Sequence, residues 1–388
     1  MKRSAVLQEV RKMRFEETYE NWRGGRLTQE EAAVLLGVCD RTFRRYLMRY
    51  EDNGMEGLVD KRLGQISHKR APVDEVMALS DLYSNRFCGF NVKHFYSWYR
   101  RAYKGTRSYT WVKNTLQEKG LVSKATQKGA HRKKRIRAPF VGMMLHQDGS
   151  KHQWVAGKLW DLIVTMDDAS SEHYAMFFVK EEGTQSSFRG VKEVIEKHGL
   201  FASLYTDRGS HYWYTPDAGG KVDKSNLTQF GRAMSQLGIK MIPAYSPEAR
   251  GRSERAFSTH QDRLVKELAM AGITEMKQAN DYLANIYMPA HNAEFAVIPQ
   301  EPESMFVPWA GTALKDILCE KYDRTVGNDN CVKFDGLKLQ IPPNKYRCHY
   351  VKVEVSIHLY PNGGIAIFHG PRKLAAYTPK GKEIAAAA

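Results

Sequence analysis

Three acidic residues stand in contexts that suit phosphoryl chemistry. Asp148 lies in L-H-Q-D-G-S, Asp207 in L-Y-T-D-R-G-S, and Glu254 closes A-Y-S-P-E-A-R-G-R-S-E. Among 43 acidic residues, three carboxylates carry weight only through position. The first two are expected where strands end, which places side chains beside one another on neighbouring strands. Glu254 is expected in the first turns of a helix on which Phe257, Gln261, Leu264 and Leu268 share roughly one face. Carboxylates gathered at one point repel unless cations neutralise them. Hard oxygen donors with few protein contacts suit Mg²⁺ or Mn²⁺. Asp161, Asp167 and Asp168 are nearby rivals for the first position. Asp167 and Asp168 follow a strand at a turn, where capping would account for them.

The elements that must position these groups begin near residue 141. Short apolar runs at 143–147, 159–166 and 174–179, separated by polar turns, predict a three-strand antiparallel meander. Residues 184–197 read as a helix with Phe188, Val191, Val194 and Ile195 on one side. A strand at 201–205, a helix at 227–237, a strand at 241–244 and a long helix at 250–268 follow. That order predicts an α/β domain with helices layered on a mixed sheet. A helical stretch at 274–288 leads to a proline-broken connector around 299–308. Runs at 332–334, 337–341, 350–359 and 364–368 then predict a small β-barrel of SH3-like size.

The N-terminal third has a different grammar. Residues 5–22 carry apolar side chains at roughly helical spacing, and Gly24-Gly25 stops that helix. Thr28 and Glu31 form a capping-box signature. A short helix ends at Gly37, and Asp40 is expected to cap a second one over 41–51. Helix, glycine turn, helix is the helix-turn-helix pattern. Phe43 and Leu47 are expected inward, while Arg41, Thr42, Arg44, Arg45 and Arg49 face DNA bases and phosphates. Residues 74–83, 92–103 and 108–119 predict a second helical unit of the same kind, presenting Tyr109, Lys113 and Asn114. Residues 124–137 hold seven basic residues and no acidic one, among them Arg132, Lys133, Lys134, Arg135 and Arg137. Such a segment can track a phosphate backbone or minor groove.

Charge supports this division. The chain has 388 residues and a formal net charge of +16. Residues 1–140 hold 30 basic and 15 acidic side chains, and the remainder is nearly neutral with 29 and 28. A basic third joined to a neutral remainder points to a polyanion-binding module fused to another activity. Apolar residues at 42% exclude a disordered chain. No apolar run approaches a bilayer span, and the N-terminus lacks a signal-type stretch, so a cytoplasmic, nucleoid-associated protein without membrane contact is expected. The scattered cysteines (Cys39, Cys88, Cys319, Cys331, Cys348) form no C-x-x-C pair, and buried reduced thiols are expected.

T-D-R-G-S at 206–210 and Y-S-P-E-A-R-G-R-S-E-R at 245–255 resemble the retroviral-integrase superfamily of DDE transposases, within it the bacterial insertion-sequence transposases. The resemblance covers about 140–300. It implies an RNase H-like catalytic core with Asp148, Asp207 and Glu254 as its carboxylates, holding two Mg²⁺ or Mn²⁺ ions. One departure is the 46 residues between Asp207 and Glu254 (208–253), an excess placed in the polar insertion 212–225. The activity implied is metal-dependent 3′-end cleavage at terminal inverted repeats and strand transfer into target DNA, with Arg208, Arg250, Arg252 and Arg255 holding phosphates. Asn292, in M-P-A-H-N-A-E-F, falls after the family's catalytic helix and is not expected to be catalytic. The double-stranded DNA partners are transposon ends and target, and a synapsing homodimer or higher oligomer is implied. Expected domains are two helix-turn-helix units (1–60 and 61–123), a basic linker (124–140), the core (141–300), a connector (301–330) and the β-barrel (331–384). The rival functions are a non-catalytic DNA-binding regulator derived from such an enzyme and an RNase H-type nuclease. A regulator has no need of a complete carboxylate triad, and a nuclease no need of two DNA-reading modules.

Overall fold

The computed structural model describes residues 3–60, 70–124, 136–216, 220–245, 247–311, 313–344 and 347–384. The chain divides into two compact units, residues 1–82 and 83–388. Among the described residues, no helix is long and apolar enough to cross a membrane.

In the first unit, α1 (Arg3–Arg23), α2 (Gln29–Leu36) and α3 (Asp40–Gly57) enclose a small aromatic core. Phe15, Ala32, Ala33, Phe43 and Leu47 are buried there. The capping box forms as read: the Thr28 N–H donates to Glu31 Oε2 at 2.8 Å and the Glu31 N–H to Thr28 Oγ1 at 3.3 Å. Gly37 closes α2 in the left-handed conformation (φ 66°), a turn that a side chain would strain. The cap of α3 corrects the sequence reading. Cys39, not Asp40, holds the N-cap position, and Asp40 becomes the first helical residue, where its charge favours the helix dipole. Helix α4 (Val73–Arg86) begins in this unit and ends in the next.

The second unit opens with α5 (Val92–Arg101), capped by Asn91, and α6 (Tyr109–Glu118), capped by Ser108. The α/β core follows. Strands β1 (Leu145–Val155), β2 (Lys158–Asp167) and β3 (His173–Val179) form the antiparallel meander. Helix α7 (Thr184–His198) leads to β4 (Ser203–Thr206), and α8 (Gln229–Gln236) to β5 (Lys240–Pro243). Strands β4 and β5 run parallel to β1, giving the order β3-β2-β1-β4-β5. Helix α9 (Pro247–Met270) follows, then α10 (Met276–Tyr282), a π-helical turn at Leu283–Tyr287, and α11 (Met288–Phe295).

Strand alternation explains why β2 is apolar almost throughout. Ile163 packs on one face with Phe188, Val191, Phe230 and Met234 of α7 and α8. Leu162, Val164 and Met166 pack on the other with Phe257, Leu264 and Leu268 of α9. Both faces are covered, so the period-2 pattern reads as a continuous apolar run. Each such side chain contributes roughly 1.5–3 kcal/mol on burial.

The connector packs on the core: Val307 exchanges backbone hydrogen bonds with Leu200 (2.7 and 2.9 Å), and Phe306, Trp309, Leu314, Ile317 and Leu318 join the α7–α8 core. Two readings need correction. Strand β1 extends to Val155, so Asp148 lies inside the strand rather than at its end; polar residues such as Lys151 and Gln153 occupy its exposed half and hid it. Cys39, Cys88 and Cys348 are exposed, and only Cys319 and Cys331 are buried, because the first three fall at caps and turns.

The C-terminal module packs β6 (Glu320–Thr325), β7 (Cys331–Phe334), β8 (Leu337–Gln340), β9 (Glu354–Leu359), β10 (Ile365–His369) and β11 (Arg372–Tyr377) around one core. Its sheet order is β11-β10-β9-β6, beside a separate β7–β8 hairpin. Among the described residues no ladder closes these into a barrel. Pro342 and Pro343, directly after β8, offer no backbone N–H to extend a ladder there.

Candidate active site

The parallel ladder between β1 and β4 pairs Leu145 with Leu204 and His146 with Tyr205. Continued two residues beyond its last pair, that register would bring Asp207, which directly follows β4, to the level of Asp148 on β1. Asp148 is buried and its Oδ1 accepts the Gly149 N–H at 3.1 Å. Asp207, just past β4, is half-buried and its Oδ1 accepts the Gly209 N–H at 2.9 Å. A Cβ on Gly209 would lie 3.0 Å from that oxygen, so the glycine of T-D-R-G-S permits the close turn.

Two further residues that sequence reasoning missed sit beside this pair. A Cβ on Gly149 would lie 2.1 Å from Glu182 Oε2, so Glu182 presses against the backbone next to Asp148. His211 Nε2 lies 3.5 Å from Glu182 Oε1. His211 directly follows the T-D-R-G-S motif, a signal that could have drawn attention to it; Glu182 has no local signature. Tyr212, fully buried, bonds Ser187 Oγ (3.1 Å) and Gln147 Oε1 (3.4 Å). Burial first, then the charges of Glu182, Asp148 and Asp207, push its phenol well above the ordinary value.

Helix α9 runs beside β1, pinned at two levels. Arg252 Nη1 donates to Asp168 Oδ1, which also bonds His146 Nε2 at 2.7 Å, and Gln261 Nε2 donates to Ser150 Oγ at 3.0 Å. The helical run from 252 to 261 rises about 13 Å at ~1.5 Å per residue. The strand from 146 to 150 rises a similar ~13 Å at ~3.3 Å per residue. Interpolating along the helix puts Glu254 about 3 Å up from Arg252 at ~1.5 Å per residue, near the level of Gln147 and one residue short of Asp148. Glu254 is exposed and flanks buried Ser253 and Phe257.

The rivals for the first position have structural partners. Asp167 accepts the N–H groups of Gly142 (2.9 Å) and Ser170 (2.7 Å), and burial raises its pKa. Asp168 accepts the Ala138 N–H at 2.7 Å besides His146 and Arg252. Asp161 accepts the Glu182 N–H at 2.7 Å.

The basic candidates fall into distinct settings. On α3, Arg41, Arg44, Arg45 and Arg49 are exposed around buried Phe43 and Leu47, and Thr42 is half-buried, its Oγ1 3.2 Å from Cys39 Sγ. On α6, Tyr109 and Asn114 are exposed and Lys113 half-buried. Arg208 is exposed, donates to the Gly220 carbonyl at 2.9 Å and stacks over Tyr245. Arg255 is exposed. Arg137 is instead tied inward, donating to the carbonyls of Asp168 (2.8 Å) and Ala169 (3.2 Å) and to Ser171 Oγ (2.8 Å). Arg132, Lys133, Lys134, Arg135 and the Arg250 side chain lie outside the described residues. Asn292 clamps β3, donating to the His173 carbonyl (2.8 Å) and accepting its N–H (2.9 Å).

The second helical unit is fastened to the core. His94 Nε2 meets Glu267 Oε1 at 2.8 Å, Ser97 Oγ donates to Glu294 Oε2 at 2.8 Å, and Asn91 Nδ2 donates to Asp262 Oδ2. Helix α5 therefore docks on the helix that carries Glu254.

A helix-turn-helix domain precedes a mixed α/β core in the chain. A family described as winged helix-turn helix matches residues 21–75. The y4bF protein of Sinorhizobium fredii (strain NBRC 101917 / NGR234), named as a transposase, is 29% identical over 88% of this chain and 75% of its own length. The transposase for insertion sequence IS1202 of Streptococcus pneumoniae is 26% identical over 70% of this chain and 65% of its own length. A chain in the cryoEM structure of the simian T-cell lymphotropic virus intasome aligns over 72% of this chain and 91% of that one at 15% identity and TM-score 0.35, too loose to bear on function. The chain is thus similar to insertion-sequence transposases over most of its length and carries a helix-turn-helix match near its N-terminus.

Proposed function

We propose that the chain binds the terminal inverted repeats of an insertion sequence, cuts the DNA at its 3′ ends and joins those ends to target DNA. The observation that supports this reading is the parallel pairing of β1, which carries Asp148, with β4, which leads into Asp207, and the pinning of α9, which carries Glu254, alongside β1. The donor set is all carboxylate oxygen, which fits Mg²⁺ or Mn²⁺. Asp148, Asp207 and Glu254 would hold two such ions, which when bound polarise the attacking and leaving oxygens of an in-line phosphoryl transfer.

The chain's own residues supply the rest. Arg208 and Arg255, exposed beside the motifs, hold phosphates, with Arg250 contributing from the start of α9, whereas Arg252 is committed to Asp168. The nucleophile is water in cleavage and the freed 3′-OH in joining. No protein nucleophile is required, and Tyr212, the phenol beside the aspartates, is kept protonated by burial. Helix α3 reads the repeat through Arg41, Thr42, Arg44, Arg45 and Arg49. Helix α6 adds Tyr109, Lys113 and Asn114, and the basic linker tracks the backbone. Two ends are synapsed by a homodimer or higher oligomer. The test is cleavage of repeat-end DNA with Mg²⁺ by Asp207→Ala and Glu254→Ala. A fall of at least ~10²–10³-fold is expected, and retained cleavage overturns the assignment.

A further inference from the structure

Away from the carboxylates, three imidazoles converge in the dry interior. His173 opens β3, His260 lies on α9 and His291 on α11, with 2%, 0% and 7% of their surface exposed. One ring nitrogen from each lies within 4.8 Å of the others. The sheet order places β3 two strands away from β1, so this cluster is separate from Asp148 and Asp207. We propose that His173, His260 and His291 form a second metal site, one for a nitrogen-preferring transition ion such as Zn²⁺, which clips β3, α9 and α11 together.

The hydrogen bonds around the rings favour coordination. His173 Nδ1 lies 3.1 Å from the Ser171 carbonyl, which can only accept, so Nδ1 carries the proton and Nε2 a lone pair. That Nε2 faces His260 Nε2 at 3.0 Å. His260 Nδ1 lies 3.0 Å from the Tyr287 hydroxyl. A carbonyl fixing one ring nitrogen so that the other is presented to an ion is the usual outer support of a histidine site. A hydrogen-bonded chain through Tyr287, His260 and His173 could satisfy two rings without an ion. It leaves the Nδ1 of His291 buried with no partner. A bare buried polar atom is costly, and an ion bound by all three rings takes one lone pair from each, with His291 Nδ1 available as its donor.

The electrostatics are compatible. Burial holds His173 down to about 4 and His291 to about 2, and burial with its two neighbours holds His260 well below its ordinary value. Neutral imidazole is the form that binds metal, so loading at neutral pH needs no proton release. The nearby Arg263 guanidinium is offset by Glu294, which accepts from both its terminal nitrogens (2.9 and 3.1 Å). Imidazole donors suit Zn²⁺, whose three-ligand sites keep a fourth position for water. Zn–N bonds of ~2.0–2.1 Å imply nitrogens about 3.3 Å apart, so loading would slightly widen the 3.0 Å His173–His260 pair within a cluster whose nitrogens lie within 4.8 Å of one another.

The test uses the full chain. Metal content is measured after purification and dialysis, and the metal-free chain is titrated with Zn²⁺ and, for its visible absorption, Co²⁺. Two variants are compared: His291→Phe, which keeps a planar ring in an apolar site, and the triple Asp148→Ala/Asp207→Ala/Glu254→Ala. One zinc per chain is expected, retained by the triple variant. In His291→Phe, affinity should fall by more than the ~10–100-fold that loss of an outer partner costs. Chelation should lower the Tm of the wild type and the triple variant but not of His291→Phe. Absence of stoichiometric zinc, or zinc lost with the carboxylates and kept by His291→Phe, overturns the proposal. If His291→Phe fails to fold, cobalt absorption of the triple variant decides alone.

Discussion

The arginines of the two units serve opposite ends. On α3 of the first unit, Arg41, Arg44, Arg45 and Arg49 are exposed around a small aromatic core. In the second unit several arginines are spent inside. Arg252 engages buried Asp168, Arg263 grips Glu294, Arg137 bonds two carbonyls, and Arg232 donates to the carbonyls of Ile317 and Cys319. A count of basic residues therefore does not map DNA contacts. Exposure and partner do. The first unit presents its α3 arginines to solvent, while several arginines of the second engage its own carboxylates and backbone carbonyls.

Removing Asp168 should break this contrast most severely. Its carboxylate satisfies Ala138, His146 and Arg252, all within a buried site. Asp168→Ala should lower unfolding free energy by about 3–5 kcal/mol, as loss of one partner of a buried pair does. Denaturant titration checks this, and a loss under about 1 kcal/mol would show that the network is not structural.

On the other side, Arg44→Ala and Arg45→Ala should leave folding unchanged. Each should weaken repeat-end binding by about 1–3 kcal/mol. For each phosphate contact removed, the slope of log K against log salt should become shallower by about 0.9. Fluorescence anisotropy across a salt series measures both, and an unchanged slope places those arginines off the DNA.

Acid should loosen the α5–α9 junction. Burial holds His94 below its ordinary value. Burial alone would raise Glu267, but hydrogen bonds from His94 and Tyr282 hold it low. As pH falls below about 6.5, the unfolded chain protonates its histidine before the folded chain does. The stabilisation is complete above that value and declines by up to ~1.4 kcal/mol per pH unit. The Glu267 contribution is lost later, as pH falls through the carboxylate range. Thermal melts from pH 8 to 5 should show the decline, with His94→Gln giving a flatter profile. The smallest effect is expected at the reader's capping box, where Thr28→Ala should cost about 1 kcal/mol of helix stability in the same melts.

What the sequence made legible was local. Thr28 and Glu31 announce their cap, alternation announces the meander, and T-D-R-G-S announces a turn after a strand. What it concealed was set by distant partners. The exposed half of β1 is polar, so the strand seemed to stop at Gln147. Strand β6 reads E-K-Y-D-R-T, with its last three residues exposed, and gives no apolar run. Strand β11 is likewise half-exposed and gives no clear alternation. The docking of α5 on α9 and α11 rests on single side chains 171, 173 and 197 residues apart, which no window of sequence can join. The same holds for Glu182 beside Gly149 and for the three histidines.

The central claim is a division of labour: α3 supplies binding and the Asp148, Asp207 and Glu254 carboxylates supply chemistry. Its most direct measurement pairs binding and single-turnover cleavage of repeat-end DNA with Mg²⁺ for Asp207→Asn and for the Arg44→Ala/Arg45→Ala double variant. Asp207→Asn should bind with unchanged affinity and salt slope yet lose cleavage by ~10²–10³-fold or more. The double variant should bind weakly yet cleave at near wild-type rate once DNA is saturating. Cleavage by Asp207→Asn at the wild-type rate would contradict the account.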